Sequence, residues 1–427
     1  MRIVKTKNYT FANELGFALA LIGIQLGTAI RNVIPMFDLG YFFMFLSILF
    51  VADYKNLFSG KISNFGGIGL FLALLFQIIS FFYLVLSTST NVDFTPGKLV
   101  LMEAYVIAFI IMLLTNKRTE FRNFDRILFY LTGFINIVIL YQVTKGFTGI
   151  YLENVFLDPD TGLSSMAHGG DKITMGRALL LNVICCIVYE HKNRYEFWIR
   201  VLFPAFAFLS LFMFNTRSSM VMCFICFFVY LWKQSKILHK PFLNIKYVGY
   251  LLLLILFILI MYLTIPVIGE LIDIVFNNIS SGVFGFFGKT SDSQIEMDSS
   301  SEFRYQSMLI FRNSLSDGIL YLLFGHGMLH VFFDFPIIQC FYDMGVIVFA
   351  IYAYVLLLCP IKMVFGYLTS SKFIIIIQLL AIQYFFDQFY CGIPYWSFQF
   401  MPIVLILYFC KKKEKYEESI VENLSVG

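Results

Sequence analysis

Charged side chains are scarce in this 427-residue chain. Asp, Glu, Lys and Arg together make up 14% of it, whereas 59% is hydrophobic and 19% is aromatic. Soluble domains carry roughly 25% charged residues, so this chain lacks the polar surface that would cover a globule in water. Apolar runs of about twenty residues, the length that crosses a bilayer as a helix, recur along the sequence. These features predict an all-α, polytopic integral membrane protein and exclude a soluble globular domain.

The cysteines give little indication of a metal site or a redox site. Most of the 8 cysteines lie inside or at the ends of apolar runs, where this residue acts as a small hydrophobe. Cys223 and Cys226 form a CxxC motif, but no second ligand pair stands near it in the sequence, as a zinc site would require. We therefore expect neither a metal site nor a redox centre from the cysteines.

The apolar runs predict the topology. Most of the 31 lysines and arginines fall between alternate runs, and this excess marks the cytoplasmic side. We expect one transmembrane domain over residues 1–427, with both termini cytoplasmic. The predicted spans number about twelve, at 14–34, 37–53, 65–87, 98–115, 127–144, 173–190, 197–214, 218–232, 247–268, 333–358, 373–391 and 397–410.

Two connections on the predicted outer side are long, at 145–172 and 269–332. The second precedes the tenth span, and we expect it to carry short helices, one of them lying along the membrane interface. All cytoplasmic connections are short, so no nucleotide-binding domain fits there. The sequence therefore excludes ATP-driven transport within this chain.

Four arginines on the predicted outer side indicate an anion site. Arg217 stands in a tight turn between two apolar runs, Arg177 begins a run, and Arg304 and Arg312 lie eight residues apart, on one face of a helix. Arginine binds phosphate and pyrophosphate with two parallel hydrogen bonds. A lone arginine at the end of a span can instead reach lipid phosphate, and we favour that role for Arg31 and Arg312.

Three of the 5 histidines also fall on the predicted outer side: His168, His326 and His330. His330 lies close to Asp334 in the sequence, which suits proton transfer, although a histidine among phenylalanines is often only an interfacial residue. His326 stands between two glycines, where capping a turn and binding a ligand are equally open. Asp387, inside an apolar run, is expected to form an interhelical hydrogen bond or to line a cavity.

The order of these motifs resembles that of the Wzy-type polysaccharide polymerases and the O-antigen ligase superfamily of bacterial membranes. Those proteins have an outer arginine–serine turn, a large outer loop, an arginine-led helix, a Gly-x-Gly turn, a polar residue, and a span with a glycine about ten residues into it. The matching residues here are Thr216-Arg217-Ser218, Ser301-Glu302-Phe303-Arg304, Phe324-Gly325-His326-Gly327, Asp334 and Gly345. The resemblance covers about residues 150–350.

The resemblance implies a membrane glycosyltransferase that joins oligosaccharide repeat units carried on undecaprenyl pyrophosphate, outside the bacterial cytoplasmic membrane. It implies no metal and no cofactor. The expected partners are the lipid-linked oligosaccharide, the bilayer and a chain-length regulator, with no nucleic acid. The expected catalytic residues are two arginines that face the leaving pyrophosphate, Arg217 and Arg304. Three candidate bases accompany them: His330, Asp334 and Glu302. The expected substrate-binding residues are Arg177, Arg312, His326 and His168.

Other functions remain open. Many relatives carry a His-Asn pair where this chain has Asp334-Phe335, and together with the single large loop this favours a polymerase over a ligase. A lipid-linked oligosaccharide flippase should show similar halves and polar residues near the bilayer midplane. A glycosyltransferase that uses polyprenyl-monophosphate sugars should carry paired carboxylates in its first outer loop, which here is only 32–38.

Overall fold

The computed structural model describes residues 11–33, 39–59, 68–86, 96–116, 121–145, 169–213, 217–238, 299–333, 335–366, 368, 371–389, 392–395 and 400–409. Within these residues the chain is helical and contains no strand. The helices are α1 Phe11–Val33, α2 Leu39–Val51, α3 Tyr54–Phe58, α4 Ile68–Leu86, α5 Pro96–Thr115, α6 Phe124–Lys145, α7 Gly169–Val188, α8 Arg194–Met213, α9 Arg217–Leu238, α10 Ser299–Ser314, α11 Ile319–Phe324, α12 Pro336–Tyr352, α13 Cys359–Gly366, α14 Lys372–Asp387 and α15 Phe400–Phe409.

Several helices are long and apolar enough to span a membrane. In the described part of the chain there are 5 by length and composition: Phe11–Arg31, Ile68–Leu86, Phe124–Tyr141, Ser218–Ile237 and Pro336–Gly366. Shorter apolar helices accompany them at Leu39–Val51, Leu99–Thr115, Thr174–Val188 and Phe400–Phe409. The all-helical, membrane-embedded architecture predicted from composition agrees with this. The count of about twelve spans and the cytoplasmic termini stay predictions, and the predicted span at 247–268 lies outside the described residues.

Glycines bring α1 and α2 into close contact. A Cβ atom on Gly27 would lie 2.2 Å from the amide nitrogen of Gly40, and one on Gly16 would lie 2.7 Å from the Cβ of Phe50. Small residues at a helix crossing let two backbones approach within a membrane. The Asn13 side-chain amide also donates to the Phe50 carbonyl at 2.8 Å. The two helices therefore form a tight hairpin.

A buried carboxylate joins α1 to the start of α6. Both oxygens of Glu14 accept hydrogen bonds of 2.9 Å, one from the amide of Arg122 and the other from the amide of Asn123. The first amides of a helix have no intrahelical partner, and a negative charge there is favourable. Glu14 therefore holds the two residues that lead into α6, where its charge is close to the positive end of that helix.

Helix α14 lies at the centre of the bundle. Its residues from Phe373 to Tyr384 are all buried, as expected for a helix that is apolar on every side. At one end, Phe373 packs edge-on against Phe124 of α6 and Phe409 of α15, with ring centroids 4.7 Å apart in both cases. These contacts hold the later helices onto the first half of the chain.

The predicted span at 333–358 coincides largely with the candidate span Pro336–Gly366, which is not one regular α-helix. Helix α12 breaks at Gly345, which has φ 71° and ψ 178°. A π-helical segment, Ala353–Leu358, follows, and α13 extends to Gly366. Pro360 lies just beyond the π-helical segment and has no amide to continue the helical hydrogen-bond ladder, which is a known cause of such irregularities.

The predicted large outer connection, 269–332, does carry helices. Helices α10 and α11 both lie within it. Phe311 of α10 packs edge-on against Phe333 and against Phe341 of α12, with centroid distances of 6.4 Å and 5.8 Å. These contacts anchor α10 to the beginning of α12.

Candidate functional site

The Gly-x-Gly turn and the break in α12 form one structural unit. Gly325 has φ 80° and ψ 178°, nearly the same conformation as Gly345, and only glycine adopts it readily. A Cβ on Gly325 would lie 2.2 Å from the carbonyl oxygen of Asp343, and one on Gly345 would lie 2.3 Å from that of Leu323. Because each glycine lacks a side chain, it leaves room for the backbone next to the other glycine. We call Gly325, Gly327 and Gly345 the glycine junction.

The junction also satisfies the backbone groups that the break exposes. In an unbroken helix the carbonyls of Tyr342 and Asp343 would accept hydrogen bonds from amides four residues later. Here the amide of His326 donates to the Tyr342 carbonyl at 2.8 Å, and the amide of Gly327 donates to the Asp343 carbonyl at 3.1 Å. Unsatisfied backbone groups are costly inside a membrane protein. The turn therefore stabilises the break.

A buried polar network holds the residues that follow the turn. The Asp343 carboxylate accepts hydrogen bonds from the Gln339 side chain at 2.9 Å and from the Tyr395 hydroxyl at 2.8 Å. Gln339 in turn bonds the Phe333 amide at 2.9 Å and the Val331 carbonyl at 2.8 Å. Gln339 and Asp343 lie one helical turn apart, so both reach the same side of α12. Together they fix the path of the chain after the turn.

His326 lies between two tyrosine rings. Its imidazole is nearly parallel to Tyr342, at 4.2 Å and 4°, and to Tyr321, at 4.7 Å and 14°. Its Nε2 atom is 3.0 Å from Oδ2 of Asp317, and 14% of the side chain is exposed. The junction backbone, the two rings and one carboxylate thus define the position of this histidine.

An open cavity lies beside the imidazole. It has room for about one water molecule and is lined by Ser314, Leu315, Tyr321, Leu322, His326, Phe341 and Tyr342. Aromatic side chains and the polar groups of Ser314 and His326 border the same space. This size and composition suit an ordered water or a single hydroxyl group.

The structure brings three of the sequence-predicted site residues into the segment from α10 to the start of α12. Arg312 is exposed on α10, two residues before cavity-lining Ser314. His330 is exposed after the turn, and His326 lies between the tyrosines. Glu302 and Arg304 belong to α10 and Arg217 begins α9, but their side chains are not among those described. Asp334 and His168 lie outside the described residues.

Arg177 has a protein partner. Its Nε atom donates to Oδ2 of Asp387 at 2.8 Å, both side chains are almost fully buried, and the guanidinium lies 5.8 Å from the centre of the Tyr384 ring. The pair joins α7 to α14, in agreement with the interhelical role expected of Asp387. A contact between Arg177 and pyrophosphate stays a prediction.

Several of these residues are not among those predicted from the sequence, namely Asp317, Tyr321, Gln339, Tyr342, Asp343 and Tyr395. Asp343 and Gln339 could have been found, because polar residues one helical turn apart within an apolar run indicate a buried site. The tyrosines could not, since the sequence holds 25 of them. Among the described residues, no three His, Cys, Asp or Glu side chains converge as metal ligands would.

Comparison of this chain with protein-family models, with curated proteins and with solved structures finds no match. The family resemblance therefore rests on the order of the motifs alone.

Proposed function

We propose that this protein polymerises oligosaccharide repeat units carried on undecaprenyl pyrophosphate, on the outer side of a bacterial cytoplasmic membrane. The observation that carries the proposal is the glycine junction. Two motifs of the polymerase pattern, the Gly-x-Gly turn and the glycine inside the next span, are separate in sequence but pair directly through their backbones. That pairing gives a physical reason for the order of the two motifs. It also brings His326 against α12, near the contact between α12 and α10, the helix that carries Arg304 and Arg312.

Arginines would supply the catalytic charge. Departure of a lipid pyrophosphate builds negative charge on its oxygens, and guanidinium groups held in advance stabilise that charge in the transition state. Arg217 is the first residue of α9, and the first amides of a helix, which have no intrahelical partner, also favour an anion. Arg304 lies on α10, the helix anchored to α12 through Phe311. The bond to the leaving group is already activated, so the reaction needs no nucleotide.

Inversion at the anomeric carbon follows from a single displacement. The acceptor hydroxyl attacks the carbon that carries the pyrophosphate, and a base takes the proton of the hydroxyl. His330, Asp334 and Glu302 are the bases that the family resemblance suggests. A ligase-type transfer of finished glycan to another acceptor would use the same arrangement.

A flippase is the second candidate, because discontinuous helices and buried charged groups are features of transporters. In transporters, the backbone groups freed by a helix break commonly line the transport cavity. Here the amides of His326 and Gly327 occupy the freed carbonyls of Tyr342 and Asp343. Because the Gly-x-Gly turn already satisfies these carbonyls, the helix break favours a fixed catalytic site over a moving transport gate.

Replacement of Arg217 or Arg304 with lysine should slow polymer formation by about tenfold or more, because an ammonium group cannot make two parallel hydrogen bonds to a phosphate. The measurement is the initial rate of polymer formation by purified variants acting on the lipid-linked repeat unit. Arg126→Lys is the matched control: Arg126 is an arginine of α6 that pairs with Glu196, and it should keep the wild-type rate. Wild-type rates from both Arg217→Lys and Arg304→Lys would remove these arginines from the site.

A further inference from the structure

The contact between His326 and Asp317 determines which imidazole nitrogen can accept a proton. An ionised carboxylate can only accept hydrogen bonds. Nε2 of His326 therefore carries the hydrogen that Asp317 accepts, across 3.0 Å. In the neutral ring the lone pair then lies on Nδ1. This is the arrangement of a histidine base oriented by a carboxylate.

The Nδ1 atom is available for another partner. It is buried and makes no hydrogen bond with any residue that the structure describes. A buried acceptor without a partner is costly, so a ligand or a water is expected to satisfy it. His326 lines the open cavity described above, and a base can act on its substrate directly or through one water.

The other described groups in contact with the ring are uncharged. The titratable groups that face it are Asp317 from the bend before α11, Tyr321 from α11 and Tyr342 from α12. From α4, the Tyr83 hydroxyl donates to the neighbouring Phe324 carbonyl at 3.1 Å. Asp317 thus supplies the one negative side chain in direct contact with the imidazole among these groups.

We propose that His326, positioned by Asp317, accepts the proton of the acceptor sugar hydroxyl, and that the cavity beside it receives that hydroxyl. The proposal rests on the proposed function and assigns the base to a residue outside the three candidates considered above. His330 is exposed on the turn and has no orienting hydrogen bond within the described residues. His326 has two stacked rings, a carboxylate partner and an adjacent cavity.

The step balances as follows. The oxygen of the acceptor hydroxyl forms a bond to the anomeric carbon of the donor, and the bond from that carbon to the pyrophosphate oxygen breaks. The leaving undecaprenyl pyrophosphate keeps the electron pair of the broken bond. The proton passes from the hydroxyl to Nδ1, directly or through one water, and later to solvent. Asp317 stabilises the imidazolium that forms in between.

The test compares His326→Gln, Asp317→Asn and His330→Gln with wild type, using the purified full-length chain and the undecaprenyl-pyrophosphate-linked repeat unit. His326→Gln should lower kcat by about 100-fold or more, the usual contribution of a positioned base, and leave binding of the lipid-linked substrate unchanged. Asp317→Asn should lower kcat less and leave KM unchanged, because it disturbs the orientation of the imidazole and not the binding of substrate, and Asp317→Glu, which keeps a carboxylate, should restore part of kcat.

Ser316→Ala, an exposed change beside Asp317, is the control and should keep the wild-type kcat and KM. Asp317 is about half exposed, so its variant should fold even if His326→Gln does not. A wild-type kcat for His326→Gln or for Asp317→Asn would overturn the proposal while polymer from wild type upholds the polymerase. Loss of kcat confined to His330→Gln would assign the base to His330 instead. A wild type that forms no polymer would overturn both proposals.

Discussion

Among glycine-to-alanine changes at the positions discussed here, Gly345→Ala and Gly325→Ala should destabilise the protein most. Each would place a Cβ at 2.2–2.3 Å from a backbone carbonyl oxygen, in a conformation that only glycine adopts readily. The conformational strain and the overlap each cost about 1–3 kcal/mol, a large part of the stability of a typical domain. We expect a marked fall in melting temperature in detergent and loss of polymer formation.

Variants at two other glycines distinguish the conformational strain from the steric overlap. Gly327 has φ 100° but open space where a Cβ would stand, so Gly327→Ala should cost only the conformational strain. Gly97 lies in α5 with open space and no unusual φ, so Gly97→Ala should be neutral or slightly stabilising. The expected order of melting temperatures, from highest to lowest, is Gly97→Ala, Gly327→Ala, and then Gly325→Ala and Gly345→Ala. Unchanged melting temperatures for Gly325→Ala and Gly345→Ala would mean that the turn does not dock into the break.

The second large effect is expected at the ion pair between Arg177 and Asp387. Arg177→Met or Asp387→Leu should each destabilise the protein by about 3–5 kcal/mol, because either change removes one half of a buried ion pair and leaves the other charge buried. The double variant should recover most of this loss, since two apolar side chains carry no desolvation penalty. Thermal unfolding of the two single variants and the double variant in detergent measures the coupling.

An exposed pair provides the control for that cycle. Lys372 and Glu190 lie at the same distance, 2.8 Å, but their side chains are 34% and 78% exposed, so Glu190→Gln should cost less than about 1 kcal/mol. Equal losses at both pairs would contradict the buried character of Arg177 and Asp387. A double variant that folds but forms no polymer would show that Arg177 or Asp387 also acts in the reaction.

Most of the helices could be predicted from the sequence, because helices that cross a bilayer need long apolar runs and such runs make up most of this chain. Helix α4, for example, spans Ile68–Leu86 where 65–87 was expected, and α6 spans Phe124–Lys145 where 127–144 was expected. The break at Gly345 could not be predicted in this way. A glycine inside an apolar run leaves the hydropathy unchanged whether the helix continues or breaks.

The turn around His326 could be predicted from the sequence, but its geometry could not. Glycines on both sides of His326 indicated an unusual turn, yet the partner of that turn lies about twenty residues away, at Tyr342–Gly345. The sequence favoured His330 as a base because it lies near Asp334. The orientation of His326 depends instead on a carboxylate nine residues earlier and a ring sixteen residues later, which only the folded chain brings together.

One measurement tests the central claim most directly. The purified protein is mixed in detergent with the undecaprenyl-pyrophosphate-linked repeat unit and a metal chelator, without any other protein, and the products are separated on a gel. We expect a ladder whose steps are one repeat unit, formed despite the chelator. Unchanged substrate in this assay, together with movement of the same lipid across the membrane of protein-containing vesicles, would contradict the polymerase and support a flippase.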